Sequence, residues 1–183
     1  MAILKIARMG HPILRTAADP VDPSQILDDG FQQLVDDMIE TMREYDGAGL
    51  AAPQVHEALQ LVVIEVRENR RYPEAPTIPL TVLINPVITP LTDERVVGWE
   101  GCLSIPDLRG QVSRHRAVDV VALDRNARPV HFSVEGFFAT VVQHETDHVH
   151  GILFPDRMSD LRSLSYLDEY ERYWCGPVPT PCS

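Results

Sequence analysis

The stretch Gln143–His148, QHETDH, sits inside the run GFFATVVQHETDHVHG, whose other members are mainly Phe, Val and Ala. The run predicts a buried helix of three to four turns, with Gly151 placed to end it. At about 100° per residue, four positions carry the chain round by roughly 400°, so His144 and His148 share one face, one turn apart. Burying His144, Glu145 and His148 together is costly unless they serve a common partner. Two imidazoles on one face can chelate a single metal ion. Glu145 projects beside them, within reach of a water at the open position but poorly placed as a third ligand. That set is suited to hydrolysis, in which the metal acidifies water and the carboxylate takes and returns the proton. A histidine that stands alone is more often an ordinary core or surface residue, and His11, His56, His115, His131 and His150 receive that reading, with His150 expected to be exposed.

A catalytic metal needs a third protein ligand and an open position. Downstream of the helix stand Asp156, Asp160, Asp168, Glu169 and Glu171, with no histidine beyond His150. Upstream, WEGCLSIP (Trp99 to Pro106) holds Cys102, whose thiolate suits a borderline or soft divalent metal. A lone cysteine is as often a small buried apolar residue, so taken alone this choice is even. In GAGLAAPQ (Gly47 to Gln54) the glycines let another backbone approach closely, and Gln54 offers an amide N–H to a developing oxyanion. Taken alone, that segment reads better as a helix C-cap and loop with a solvated Gln54.

The rest of the chain predicts an α+β fold: mostly antiparallel sheets with hairpins, packed around the buried metal-binding helix, plus an N-terminal amphipathic helix. That helix spans Ser24 to Tyr45, with Ile26, Leu27, Phe31, Leu34, Met38 and Met42 on its apolar face, Ser24 as N-cap, Gly30 weakening the first turn and Gly47 just beyond the end. Strands are expected at 59–66, 81–88, 117–123 and 130–134, the last two joined as a hairpin by DRNARP. Residues 67–79, rich in Pro and charge, read as an exposed loop; 160–174 read as a short final helix and 171–183 as an irregular tail. With 183 residues, the expectation is one domain, residues 1–183.

A net charge of −11 argues against nucleic acid or an anionic membrane as the main partner. No run approaches the ~20 apolar residues of a membrane span, and no export signal is recognisable. Three cysteines, Cys102, Cys175 and Cys182, are an odd set that fits reduced thiols in the cytoplasm.

Together, GAGLAAPQ, EGCLS and QHETDH, in that order and spacing, resemble the three signature motifs of the peptide deformylases, and the resemblance runs from ILKIARMGHPILR near the start through GILFPDR after the metal helix. It implies a metal-dependent hydrolase that removes the N-formyl group from the formyl-methionine of nascent peptides, releasing formate and a free amine. Cys102, His144 and His148 would hold one divalent metal, iron(II) first, with zinc, nickel or cobalt able to replace it. Metal-bound water would attack the formyl carbonyl with Glu145 as general base and then acid. The Gln54 side-chain amide and the Leu103 backbone N–H would steady the oxyanion.

The peptide would lie along Gly47, Ala48 and Gly49 and the segment after Cys102, in the manner of strand addition, with its methionine in a pocket lined by Ala48 and Val141. Arg109 matches a family position near the peptide, with a solvated surface arginine as the alternative, and Asp147 would orient a group near the site. Val149 stands where the family often has leucine. Some bacterial members dock on the ribosome through a basic C-terminal helix. From Asp160 onward this chain sets Asp160, Asp168, Glu169 and Glu171 against Arg162 and Arg172, which argues against carrying that docking over.

Two rival readings differ in their ligands. A zinc metalloprotease cleaving internal peptide bonds needs a third ligand other than Cys102. A purely structural metal site closes with four protein ligands and leaves Glu145 without a purpose.

Overall fold

The computed structural model describes residues 2–67 and 76–175. Helix α1 (Asp29–Glu44) is followed by strands β1 (Gly49–Ala51), β2 (Leu61–Val66), β3 (Ile78–Pro90), β4 (Arg95–Cys102), β5 (Ile105–His115), β6 (Ala117–Leu123) and β7 (Pro129–Glu135), then α2 (Gly136–Val149), β8 (Ser165–Tyr166) and α3 (Leu167–Tyr173). One antiparallel sheet of five strands runs β1-β2-β3-β6-β7, and a second of three runs β4-β5-β8. This is the mixed helix and antiparallel-sheet architecture expected.

Strand β2 is buried along its whole length because it is covered on both faces. Val62, Ile64 and Val66 face Ala139, Val142 and Val149 of α2. Leu61 and Val63 face Val35, Met38, Ile39 and Met42 of α1. The two-residue side-chain period of a strand divides its residues between the two cores. A third cluster, with Leu14, Cys102, Ile105, Val112, Leu153 and Phe154, lies beneath the small sheet and brings Cys102 toward α2. Strand β3 carries Pro86 because its pairing with β6 slips between Ile84 and Val87; there Asn85 takes a positive φ of 53° and its side chain bonds both backbone groups of Val21, at 2.8 and 2.9 Å.

Several expectations need correction. Helix α1 begins at Asp29, not after Ser24: Pro23–Gln25 forms a separate 3-10 turn, in which Asp22 Oδ1 accepts from Ser24 N at 2.9 Å. Ile26 is nevertheless fully buried, whereas Leu27 is 64% exposed. The hairpin β4–β5 was not foreseen, because β4 is largely exposed and its GWEG stretch shows no strand-like alternation. The expected final helix over 160–174 is broken into a 3-10 turn (Leu161–Ser163), β8 and α3, since the Asp160 carboxylate accepts from Arg162 N at 2.8 Å and the edge of β5 recruits Ser165 and Tyr166. Residues 171–173, assigned to the irregular tail, belong to α3. Ile78 and Pro79 of the expected loop open β3, while loop residues 68–75 and tail residues 176–183, Cys182 included, lie outside the described residues. Among the described residues no helix is long and apolar enough to cross a membrane.

Candidate active site

Helix α2 supplies His144, Glu145 and His148, all buried in its second half. The other side comes from the end of β4, where the pairing with β5 shifts between Glu100 and Cys102. Both residues are buried, Glu100 5% exposed and Cys102 3%. One ligand atom each from Cys102, His144 and His148 lies within 4.8 Å of the others, and Cys102 Sγ is 3.3 Å from His148 Nε2. Among the described residues this is the one such cluster, and none of the downstream carboxylates belongs to it.

The electrostatics couple the thiol to the imidazoles: beside Cys102 and Glu100, His144 is pushed well above its usual range in spite of its burial. Burial pushes the Cys102 thiol up, but the charges and hydrogen bonds of His148 and His144 outweigh it and hold the thiol well below its usual range. Two donors approach the sulfur, Ser104 N and Gln54 Nε2, both at 3.4 Å. His144 Nδ1 lies 2.7 Å from Glu100 Oε2. The Glu100 carboxyl sits at about 2, because the bonds from His144 and Arg114 overcome its burial. As an ionised acceptor it accepts the hydrogen bond of Nδ1–H, leaving Nε2 of His144 for the cluster.

A chain of buried charges extends outward from this pair. Arg114 clasps Glu100 with Nε at 2.8 Å and Nη2 at 3.0 Å, and its Nη1 reaches Asp147 Oδ2 at 2.5 Å. Asp147 Oδ1 accepts from Arg157 Nη2 at 2.6 Å. Asp147 therefore acts on His144 through Arg114 and Glu100. Sequence reasoning missed Glu100, Arg114 and Arg157; the only signal was that Glu100 stands two residues before Cys102.

Glu145 is 5% exposed, and burial pushes its carboxyl up. Its Oε2, like Nδ1 of His148, is buried without a hydrogen-bond partner among the described residues. An unpaired carboxylate oxygen beside a sulfur–nitrogen–nitrogen cluster fits a bound ion with a water at its open position. Gly49 is matched to this carboxyl: a Cβ there would lie 2.6 to 2.8 Å from Glu145 side-chain atoms. A Cβ on Gly47 would meet Leu103 Cδ1 at 3.2 Å.

Gln54 is 1% exposed and held in place, so the solvated-loop reading of it fails. Its Oε1 accepts from Ala51 N at 2.8 Å, which turns Nε2 toward Cys102 and Ser104. A cleft is lined by Gly47, Ala48, Gly49, Gln54, Cys102, Leu103, Val141, His144 and Glu145, with Trp99 and Phe137 at its walls. Arg109 is not among the residues lining the cleft. It is 6% exposed and packed on Gly101, where a Cβ would come 2.2 Å from its Nη1, so it is not a solvated surface arginine.

A thiolate and two imidazoles converging beside an unpartnered, buried carboxylate in an open cleft define a metal-dependent hydrolase. The chain matches the family described as Polypeptide deformylase over residues 3–163. It is 46% identical over 172 residues to "Peptide deformylase 1" of Prochlorococcus marinus, covering 93% of this chain and 88% of that one. It is 47% identical over 163 residues to "Peptide deformylase 1" of Bordetella pertussis, covering 89% and 92%. The fold superposes on a class I type b peptide deformylase from Acinetobacter baumannii with a TM-score of 0.84 at 41% identity, covering 87% of this chain and all of that one. It superposes on the Thermotoga maritima peptide deformylase with a TM-score of 0.77 at 34% identity, covering 87% and 100%.

The chain belongs to the peptide deformylase family, enzymes that remove the formyl group from nascent peptides. The protease reading has no support, because the third member of the ligand cluster is Cys102 and no downstream carboxylate takes its place.

Proposed function

We propose that Cys102, His144 and His148 hold one divalent metal ion, iron(II) in the cell with zinc, nickel or cobalt as substitutes, and that Glu145, Gln54 and Leu103 carry out deformylation of N-formylmethionyl peptides around it. The observation that carries this reading is the approach of the three ligand atoms to within 4.8 Å of one another beside the unpartnered oxygen of Glu145. Bound there, the ion supplies Lewis acidity, polarising a carbonyl and lowering the pKa of water toward neutrality.

The chain's own residues do the rest. Glu145 takes the proton of the attacking water at its carboxylate and hands it to the departing amine; the burial that raises its carboxyl suits it to hold that proton between the two steps. Gln54 Nε2, aimed by the bond from Ala51 N to its Oε1, donates to the oxyanion together with the backbone N–H of Leu103. Gly47, Ala48 and Gly49 lead into β1, the outer strand of its sheet, and offer backbone groups to an extended peptide. Ala48 and Val141 line the methionine pocket. Arg109 shapes this wall indirectly, through Gly101. A bound Met-Ala-Ser in an Acinetobacter baumannii peptide deformylase, 42% identical with a TM-score of 0.82, supports a peptide product in such a cleft.

Residues 1–183 act as a single catalytic domain in the cytoplasm. The acidic balance from Asp160 onward weighs against ribosome docking by a basic helix, and co-sedimentation with ribosomes in low salt tests it.

The deciding experiment is formate release from a formyl-Met tripeptide by protein prepared anaerobically and loaded with iron(II) or with zinc, beside Glu145→Gln and Cys102→Ala. Release that collapses in Glu145→Gln, with metal lost from Cys102→Ala, is expected, and the iron-to-zinc activity ratio identifies the working metal. Full metal content in Cys102→Ala would overturn the ligand assignment, and undiminished release by Glu145→Gln would overturn the role of the carboxylate.

A further inference from the structure

The turn that joins β4 to β5 consists of Leu103 and Ser104. Leu103 carries the proposed backbone donor to the oxyanion, and Ser104, fully buried, touches the other donor. Its Oγ accepts from Gln54 Nε2 at 3.2 Å. Its backbone N–H is directed to Cys102 Sγ at 3.4 Å, and its carbonyl accepts from Met9 N at 2.8 Å. Two residues before Met9, Ala7 N donates to the carbonyl of Gln54 at 2.7 Å. The main chains of Gln54 and Ser104 are therefore pinned to one stretch of chain, and their side chains to each other.

We propose that Ser104 is a positioning residue for the Gln54 donor: its hydroxyl takes one hydrogen of the amide and so aims the other at the oxyanion. The inference rests on the role given to Gln54 under Proposed function. A carboxamide is planar, with an acceptor oxygen and two hydrogens on its nitrogen. Ala51 N can only donate, which fixes Gln54 Oε1 on its side at 2.8 Å. That single bond leaves the amide plane free to swivel about the held oxygen. A second bond, from Nε2 to Ser104 Oγ, fixes the plane. The remaining hydrogen then lies toward Cys102 Sγ, 3.4 Å from Nε2, at the edge of the ligand cluster. Sulfur is a weaker acceptor than an oxygen that gains charge, so the bond passes to the oxyanion while the amide stays where it is. A donor aimed in advance costs no reorganisation at the moment of reaction.

Ser104→Ala removes the hydroxyl and keeps the backbone N–H to the sulfur and the carbonyl to Met9. Formate release from formyl-Met-Ala-Ser is measured on the iron-loaded wild type, Ser104→Ala, Gln54→Ala and the double variant. Expressing kcat per bound metal cancels a partial loss of folded enzyme. Ser104→Ala should lower kcat about tenfold with KM little changed, a part of the roughly 10²-fold loss expected of Gln54→Ala. The double variant should fall no further than Gln54→Ala alone, since a positioning residue has nothing to act on once its donor is gone. A second readout needs no turnover: the thiolate-to-metal absorption of the cobalt(II)-loaded protein should be the same in Ser104→Ala as in the wild type. Full kcat in Ser104→Ala, or losses that multiply in the double variant, would overturn the proposal. A shifted cobalt band would overturn it too, by placing the effect of the hydroxyl on Cys102. If Gln54→Ala keeps its full kcat, the oxyanion role of Gln54 falls and the proposal with it. No formate from the wild type would instead overturn the proposed function itself, and this inference as its consequence.

Discussion

Glu100 Oε2 lies 2.7 Å from His144 Nδ1 while Arg114 grips the same carboxylate through Nε and Nη2, so the orientation of one candidate ligand is set by a buried ion pair on the neighbouring sheet. Glu100→Ala should act in two ways. The imidazole loses its orienting acceptor, which typically lowers metal affinity 10- to 100-fold. Arg114, 5% exposed on its side chain, keeps its bond to Asp147 but loses half of its compensation, and breaking a buried pair costs about 3–5 kcal/mol. Metal titration and thermal unfolding of the same variant check both effects. Glu100→Gln, which keeps an acceptor oxygen, should lose less on each.

Gln54→Ala removes a donor already aimed by Ala51, so the loss should fall on the transition state. About 3 kcal/mol is the ordinary cost of one oxyanion donor, equivalent to a kcat roughly 10²-fold lower with KM little changed. Steady-state kinetics on a formyl-Met tripeptide decide it. An unchanged kcat would refute the role, and a raised KM alone would make Gln54 a binding residue.

The helix α2 and its three polar residues were legible because helical periodicity puts i and i+4 on one face, a relation that needs no knowledge of the rest of the fold. The hairpin of β6 and β7 was legible for the same local reason: alternating apolar residues flank a polar turn, and β6 has the expected bounds, 117–123. What escaped were relations made across the fold. Arg114 reaches Glu100 over 14 residues and Asp147 over 33, and no pattern along the chain marks such pairs. Cys102 was quotable as a motif, but its inward aim depends on the irregular β4–β5 pairing, in a strand too exposed to look like one. Ser24 misled because Asp22 and Pro23 organise their own turn first.

Gly49→Ala isolates the space reserved for Glu145, the proposed general base. The added methyl would meet the Glu145 side chain at 2.6 to 2.8 Å, and no positive φ is recorded for Gly49, so the backbone itself accepts alanine. The carboxyl must move, and displacing a catalytic group by about 1 Å can cost on the order of 10²-fold in rate. The variant should therefore melt close to the wild type while kcat falls at least tenfold. A large drop in melting temperature with kcat preserved would mean that the strand shifts instead of Glu145.

Acid should weaken the fold through carboxylates outside the ligand cluster, among them Glu65. Its side chain, 6% exposed, receives Arg43 Nε at 2.8 Å and Arg67 Nη2 at 2.9 Å, tying β2 to α1. The bond from Arg43, aided by Arg67, holds the Glu65 carboxyl below its ordinary value of 4.5 against the opposing effect of burial. Asp156 is likewise lowered, by Arg15 and the Leu153 N–H, in spite of its burial. Around and below their ordinary values the unfolded chain binds more protons than the folded one, so stability must fall as the pH falls. Their contribution is complete above about pH 4.5 to 5 and drains away as the pH drops through the lower folded-state values. Melting curves recorded from pH 7 down to pH 3 should show this acid loss, and Glu65→Gln should be less stable at pH 7 yet lose less between pH 5 and pH 3. If the variant and the wild type lose the same amount over that interval, the Arg43–Glu65 pair is not among the groups that set acid stability.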